Sequence, residues 1–313
     1  MSRVISADAS ASRRSFLKAL GGAAAGLAAV GSGGASGPAA SAIEPVARPG
    51  SHDFKYSLAA YSYRNLLTGK DPLTLEDFVA DCAKMHLNGA ELTSYYFPKQ
   101  LTDDYLRHIK EHCFRLGLVV SGTAIGNDFC HPPGEARDEQ IRLTKKWIDH
   151  AEILGAPVIR IFSGKPHGTD EATAKRLAIE AIEECCQYAG EHGVYLCLEN
   201  HGGLTAEVDG MLELVRAVRS PRFGVNLDSG NFHGADIYGD LAKIAPYALN
   251  VQVKVVVSGP GGRKEPTDFN RLAKLLADAG YRGYIVLEYE EAEDPRVACP
   301  RFVDEMRKAF SAV

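Results

Sequence analysis

Four oxygen-bearing side chains stand where chemistry could be done: Glu199 at the end of YLCLE, Asp228 at the end of FGVNLD, Gln252 inside NVQVKV and Glu288 in YIVLEY. A charge placed where a buried strand stops is solvated, paired with a cation, or bound to a metal. Taken singly, each has a plain reading. A Glu at a strand end is more often solvated or salt-bridged than a ligand, and a lone Gln can simply satisfy a backbone group. Together they read differently, because three carboxylates gathered at one point repel and raise one another's pKa values unless a cation neutralises them. An all-oxygen set suits a hard or borderline ion rather than the zinc preferred by thiolates and imidazoles. The expectation is therefore one divalent ion, Mn2+ first and then Mg2+ or Co2+, held by Glu199, Asp228, Gln252 and Glu288.

That expectation needs a fold that brings four strand ends together. From Lys55 onward, short β-rich segments (YSLAAYS, GAELT, LVVSGTAI, PVIRIFS, VYLCLE, FGVNLD, NVQVKV, YIVLEY) alternate with amphipathic helical ones such as LEDFVADCAKM and FNRLAKLLADAG. Gly117, Gly155, Gly193 and Gly280 each precede a strand, as helix-terminating glycines do. Eight β/α units over roughly 250 residues predict an α/β protein of the (β/α)8 TIM barrel type. The competing open doubly wound sheet lacks its GxGxxG after the first strand. In a barrel alternate residues face the interior, so Glu199 shares its side with Cys197, Asp228 with Asn226, and Gln252 with Asn250 and Lys254.

The composition agrees with one large core: 313 residues, 45% hydrophobic and 24% charged. A net charge of -5 provides no global basic field, so nucleic acid is not an expected partner and a small solute is. Seven cysteines with no CxxC pair read as small buried residues. The N-terminal stretch SRRSFLK, followed by ALGGAAAGLAAVG and the AxA site Ala40-Ser41-Ala42, resembles a twin-arginine export signal. The apolar run is too short and glycine-rich to remain as a membrane anchor. The expected organisation is a signal peptide over 1–42, a linker over 43–54 and the barrel over 55–313, in a periplasmic or extracytoplasmic protein compatible with homo-oligomers. The twin-arginine route carries folded proteins, which lets a metal be loaded before export.

LENHGG, GVNLDSGN, NVQVKV followed by GPGGRKEP, and YIVLEYE together resemble the sugar phosphate isomerase/epimerase group with the xylose isomerase-like TIM barrel fold. The resemblance extends over nearly the whole chain after Lys55. Members commonly bind one divalent metal through Glu, Asp, His and Glu, and their two Glu residues also transfer protons. Carried over, the ligands are Glu199, Asp228, Gln252 and Glu288, and the acid/base pair is Glu199 and Glu288. Gln252 stands where ketose epimerases have histidine, as in hydroxypyruvate isomerase-like members, whose PGRxEP-like stretch GPGGRKEP echoes. The chemistry implied is proton abstraction beside a carbonyl through a metal-stabilised enediolate. Returning the proton gives an epimer or an aldose-ketose exchange, and expelling a β substituent gives elimination on 3-keto-sugars or keto-glycosides.

Further substrate contacts are expected from His201, Asn231, Lys254 and Arg263, the last matching the family's substrate-contacting arginine best. Arg160 points inward by parity and needs an anionic partner, for which Glu91 is the candidate. Tyr61 and Tyr63 could stack on a sugar, whereas Trp147, mid-helix, reads as core. Two other classes compete with the isomerase: an apurinic endonuclease-like phosphodiesterase, which needs a histidine-rich zinc cluster at the strand ends, and a sugar-binding barrel without catalysis.

Overall fold

The computed structural model describes residues 43–313, and the export-signal stretch lies outside them. The strands are β1 (Asp53–Ala59), β2 (Gly89–Thr93), β3 (Val119–Ala124), β4 (Val158–Ile161), β5 (Tyr195–Glu199), β6 (Phe223–Asp228), β7 (Ala248–Val253), β8 (Val256–Ser258), β9 (Lys264–Pro266) and β10 (Arg282–Leu287). Eight of them close a barrel in the order β1-β2-β3-β4-β5-β6-β7-β10, and every pair around it is parallel. β8 and β9 form a separate antiparallel hairpin that carries GPGGRKEP.

The helices are α1 (Arg64–Thr68), α2 (Leu75–Lys84), α3 (Asp103–Arg115), α4 (Glu135–Leu154), α5 (Glu171–Glu191), α6 (Val208–Ala217), α7 (Ile237–Ile244), α8 (Phe269–Asp278) and α9 (Pro295–Phe310). Several of their starts are fixed by side-chain caps: Thr74 and Asp77 form a capping box on α2, and Thr102, Asp170, Asp268 and Asp294 cap α3, α5, α8 and α9. Gly117, Gly155, Gly193 and Gly280 all have positive φ, which a residue without Cβ adopts freely as the chain turns back toward the next strand.

Alternation along the strands separates two environments. Leu196 and Leu198, Val225 and Leu227, and Val251 and Val253 face the helices and are fully buried. Each such side chain stabilises the fold by roughly 1.5–3 kcal/mol. The opposite set fills the barrel with polar groups: Ser57, Ser121, Glu91, Arg160, Asn226, Asn250 and Gln252 are all buried. Buried polar groups must find partners. Ser57 and Ser121 share a hydrogen bond of 2.7 Å, and Trp147, part of the core, donates to Thr123 at 3.0 Å.

Two sequence expectations are corrected. The barrel begins at Asp53, two residues ahead of the expected boundary, and the expected linker is docked: the Ile43 and Val46 amides donate to Val218 and Pro246 carbonyls. Tyr63 is a core residue against Phe78, not a stacking surface for sugar. The cysteines among the described residues are free and buried, as expected.

Candidate active site

Glu199 ends β5, Asp228 ends β6, and Glu288 and Lys254 directly follow β10 and β7, so all four reach the carboxyl-end rim of the barrel. All four are buried. Lys254 Nζ lies 2.5 Å from Glu288 Oε2, 3.1 Å from Asp228 Oδ2 and 3.1 Å from Glu290 Oε1. Across the rim, Arg160 Nε lies 2.9 Å from Glu199 Oε2, and Asn231 Nδ2 donates to Glu199 Oε1 at 2.8 Å. Arg160 also donates to the Ile125 carbonyl and stacks its guanidinium 4.0 Å from the Phe162 ring centroid. Arg160, Glu199, Lys254, Glu288 and Glu290 border a cavity of about 210 Å3, whose apolar walls are Tyr61, Tyr95 and Phe162 with His201 beside them.

Gln252 faces elsewhere. Its Nε2 donates to Glu91 Oε1 at 2.5 Å, and its Oε1 accepts from Asn226 Nδ2 at 2.6 Å. Asn250 Nδ2 closes the ring by donating to Asn226 Oδ1 at 2.8 Å and Glu91 Oε2 at 2.7 Å. Both amides thus turn their NH2 groups toward the Glu91 carboxyl. The expected Arg160–Glu91 pair is thus replaced by Arg160–Glu199, with Glu91 held by the amide ring.

These contacts test the expected divalent ion. The Gln252 carbonyl is already engaged, so the four-ligand set is short by one. Asp228 Oδ2 has the Lys254 ammonium beside it but no hydrogen bond of good geometry, and the same ammonium holds Glu288 Oε2. An ion sharing those two oxygens would have to displace the ammonium that lies 3.1 and 2.5 Å from them, because two positive charges at the same oxygens repel. The residues as arranged do not fit a metal held by Glu199, Asp228, Gln252 and Glu288.

The electrostatics separate the two glutamates. Burial, with Asp228 and Glu288 adding to it, pushes the Glu199 pKa well up despite the opposing Arg160 guanidinium. Burial also acts upward on Glu288, but Lys254 outweighs it, with the Arg160 guanidinium helping, and the net shift is downward. Burial raises Asp228 to about 7 against the pull of Lys254. Glu91 likewise rises to about 7 by burial and the nearby Glu288 charge. Burial acts to lower Lys254, but Asp228, Glu288, Glu290 and Glu199 outweigh it, so the ammonium stays charged. One cavity thus meets Glu199, shifted toward the acid, and Glu288, shifted toward the carboxylate, the division of labour that paired acid/base catalysis uses.

Of the substrate contacts expected from sequence, Arg160, Lys254 and His201 line the cavity, and Asn231 touches Glu199. His201 packs on Phe162 at 4.6 Å, and burial lowers its pKa, so it faces the cavity neutral. Arg263 does not join them: it is exposed on the β8–β9 hairpin and paired with Glu265 at 2.5 Å. Glu91 lies in the amide ring rather than on the cavity wall. Sequence reasoning passed over Tyr95, Phe162 and Glu290. Of these, Glu290 carried a signal, two residues past Glu288 and therefore of the same parity.

Among the described residues, one group has three metal-capable side chains with ligand atoms within 4.8 Å of one another: Asp128, His131 and His167, on the loops after β3 and β4. His167 Nε2 lies 2.9 Å from Asp128 Oδ2, and the two imidazoles stack at 3.9 Å. Two imidazoles and a carboxylate are a donor set that suits borderline transition metals. None of the three was singled out from sequence, although NDFCHPP and SGKPHG each place a histidine shortly after a strand.

The sequence profile described as the xylose isomerase-like TIM barrel matches residues 79–306. A Mus musculus protein named "Putative hydroxypyruvate isomerase" is 27% identical over 163 residues, 46% of this chain and 58% of its own length. The chain therefore spans less than two thirds of that relative. Among solved structures, the D-psicose 3-epimerase from Clostridium cellulolyticum H10, crystallised with D-tagatose, superposes with a TM-score of 0.68 at 16% identity, covering 82% of this chain and 99% of that one. The 3-keto-D-glucoside 4-epimerase from E. coli superposes at 0.66 with 15% identity, covering 82% and 100%. At these identities the superpositions establish the fold. Among the described residues, no helix is long and apolar enough to cross a membrane.

Proposed function

We propose, from the premise that this chain belongs to the xylose isomerase-like TIM barrel family, that it is an isomerase or epimerase of small sugars with a hydroxyl beside a carbonyl. The observation that carries the reading is the pair of buried glutamates at one cavity, Glu288 shifted toward the carboxylate and Glu199 toward the acid. Glu288 takes the proton from the carbon next to the carbonyl. The C–H electron pair becomes the C=C bond of an enediol(ate), and the carbonyl π pair moves onto oxygen. Glu199 then delivers its own proton to carbon, either to the opposite face, giving an epimer, or to the former carbonyl carbon while the proton of the adjacent hydroxyl passes to the enediolate oxygen, giving the aldose-ketose isomer.

The charge that develops on the oxygen needs a cationic partner, and Arg160 and Lys254 both border the cavity. Tyr61, Tyr95 and Phe162 supply aromatic faces of the kind that stack on sugar rings and exclude water. The size of the cavity favours one small sugar over an oligosaccharide, and the epimerases of similar fold favour a carbohydrate. The export signal read from the sequence favours an unphosphorylated, extracytoplasmic one.

The test is incubation of the purified chain with a panel of keto-sugars in D2O, with and without Mn2+, followed by NMR. Deuterium at one carbon, accompanied by a new isomer, supports the reading and identifies the branch. A full panel without exchange rejects it.

A further inference from the structure

We propose that the Lys254 ammonium is the resident cation of this site, standing where the carboxylates would otherwise share a divalent ion and making the active centre independent of metal. The inference rests on the same cavity as the proposed isomerase.

Three independent features build Lys254 in. Its Nζ lies 3.1, 2.5 and 3.1 Å from carboxyl oxygens of Asp228, Glu288 and Glu290, so the ammonium offsets part of the negative charge of the cluster from within. Its backbone is fixed at both ends: the amide donates to Ser229 Oγ at 2.9 Å, and the carbonyl accepts from Thr267 Oγ1 at 2.6 Å. Its stem needs the absent side chain of Gly230, where an added Cβ would stand 2.7 Å from Lys254 Cδ and 3.0 Å from its Cβ.

The role follows from charge and reach. Glu290 is the most exposed of the three partners, at 38%, and is the one that a substrate oxygen can displace. The ammonium then donates to the carbonyl oxygen as negative charge builds there, while Glu288, still beside it, takes the carbon-bound proton. No electron or proton leaves the set: the proton moves from carbon to Glu288, and Lys254 remains protonated throughout.

The experiment is Mn2+ binding by equilibrium dialysis and EPR, read without turnover. His131→Ala and His167→Ala are introduced first, so that the separate loop group contributes nothing. In that background the protein with Lys254 is expected to bind no Mn2+ at the barrel mouth. Lys254→Ala, with Lys254→Ser as a second variant and circular dichroism confirming that each is folded, is expected to bind one ion at least roughly 100-fold more tightly. One Mn2+ bound by the protein that keeps Lys254, and released by Asp228→Asn, overturns the proposal. So does a folded Lys254→Ala that takes up none. Since binding alone is measured, a chain that isomerises no sugar still decides this question, and an active isomerase that binds Mn2+ through Asp228 defeats it while leaving the function intact.

Discussion

Arg160 Nε sits 2.9 Å from Glu199 Oε2 with both side chains buried, so the barrel mouth holds one guanidinium–carboxyl pair across from the Lys254 cluster. Removing one partner leaves the other buried and unsatisfied, whereas replacing both by apolar groups costs far less. Arg160→Met is expected to destabilise the fold by about 1–3 kcal/mol in urea unfolding. Adding Glu199→Leu to it should restore a large part of that loss. A double variant as unstable as the sum of the two single ones would show that the pair is not coupled.

The acid/base assignment separates two activities that are usually lost together. Glu288→Gln removes the group that takes the proton, so both deuterium exchange and product formation should fall by about 100- to 10,000-fold. Glu199→Gln leaves the abstraction in place but removes the proton that completes the reaction. Its expected signature is exchange into recovered substrate with little isomer formed. With Glu288 shifted below its ordinary value and Glu199 shifted well above it, the native rate should fall at the low-pH end through Glu288 and at the high-pH end through Glu199. NMR time courses from acid to alkaline pH measure all of this, and equal loss of exchange in both variants contradicts the assignment.

The barrel was legible because its two periods are clean: alternate residues on strands and helical spacing between them. Parity placed Glu199, Asp228, Gln252 and Lys254 inside correctly, but parity gives a side and not a level. The strand register makes the difference. Val286 pairs with Gln252, and the Glu288 amide bonds the Val253 carbonyl, so Glu288 stands level with Lys254, while Gln252 lies a layer deeper. The partner of Arg160 was missed for a related reason. Arg160 pairs in register with Cys197, two residues before Glu199, while a register irregularity at Ala90/Glu91 moves Glu91 into the amide ring. Arg263 looked functional from its GPGGRKEP setting, yet that stretch folds into a hairpin whose exposed arginine is neutralised by its neighbour Glu265.

Glu91 gives a stability effect whose sign runs against the usual carboxylate. Its pKa rises in the fold from 4.5 to about 7, so between these values the folded chain keeps a proton that the unfolded chain has lost. The unfolded state then binds fewer protons, and stability falls as pH rises through that window and levels off above it. Glu91→Gln cannot titrate and escapes this loss. Whatever constant penalty its amide incurs against Gln252 and Asn250, the stability of the variant relative to the native chain should improve by about 3 kcal/mol between pH 5 and pH 8. Urea unfolding of both proteins at the two values measures it, and a difference independent of pH would place the Glu91 pKa near its ordinary value.

Gly230 and Lys254 supply a last test, in which space alone is changed. Gly230 has no positive φ, so alanine is acceptable to its backbone and meets only the lysine. The added methyl would fall 3.0 Å from Lys254 Cβ, an atom held by the backbone hydrogen bonds to Ser229 and Thr267, so the stem cannot simply swing aside. Overpacking of this kind costs about 1–3 kcal/mol. Gly230→Ala is therefore expected to fold with a lowered Tm and to lose isomerisation out of proportion to that loss, because the displaced ammonium no longer stands against Glu288 and the substrate oxygen. A variant with native rates in the D2O assay at a temperature well below its Tm would show that the placement of Lys254 is not critical for the reaction.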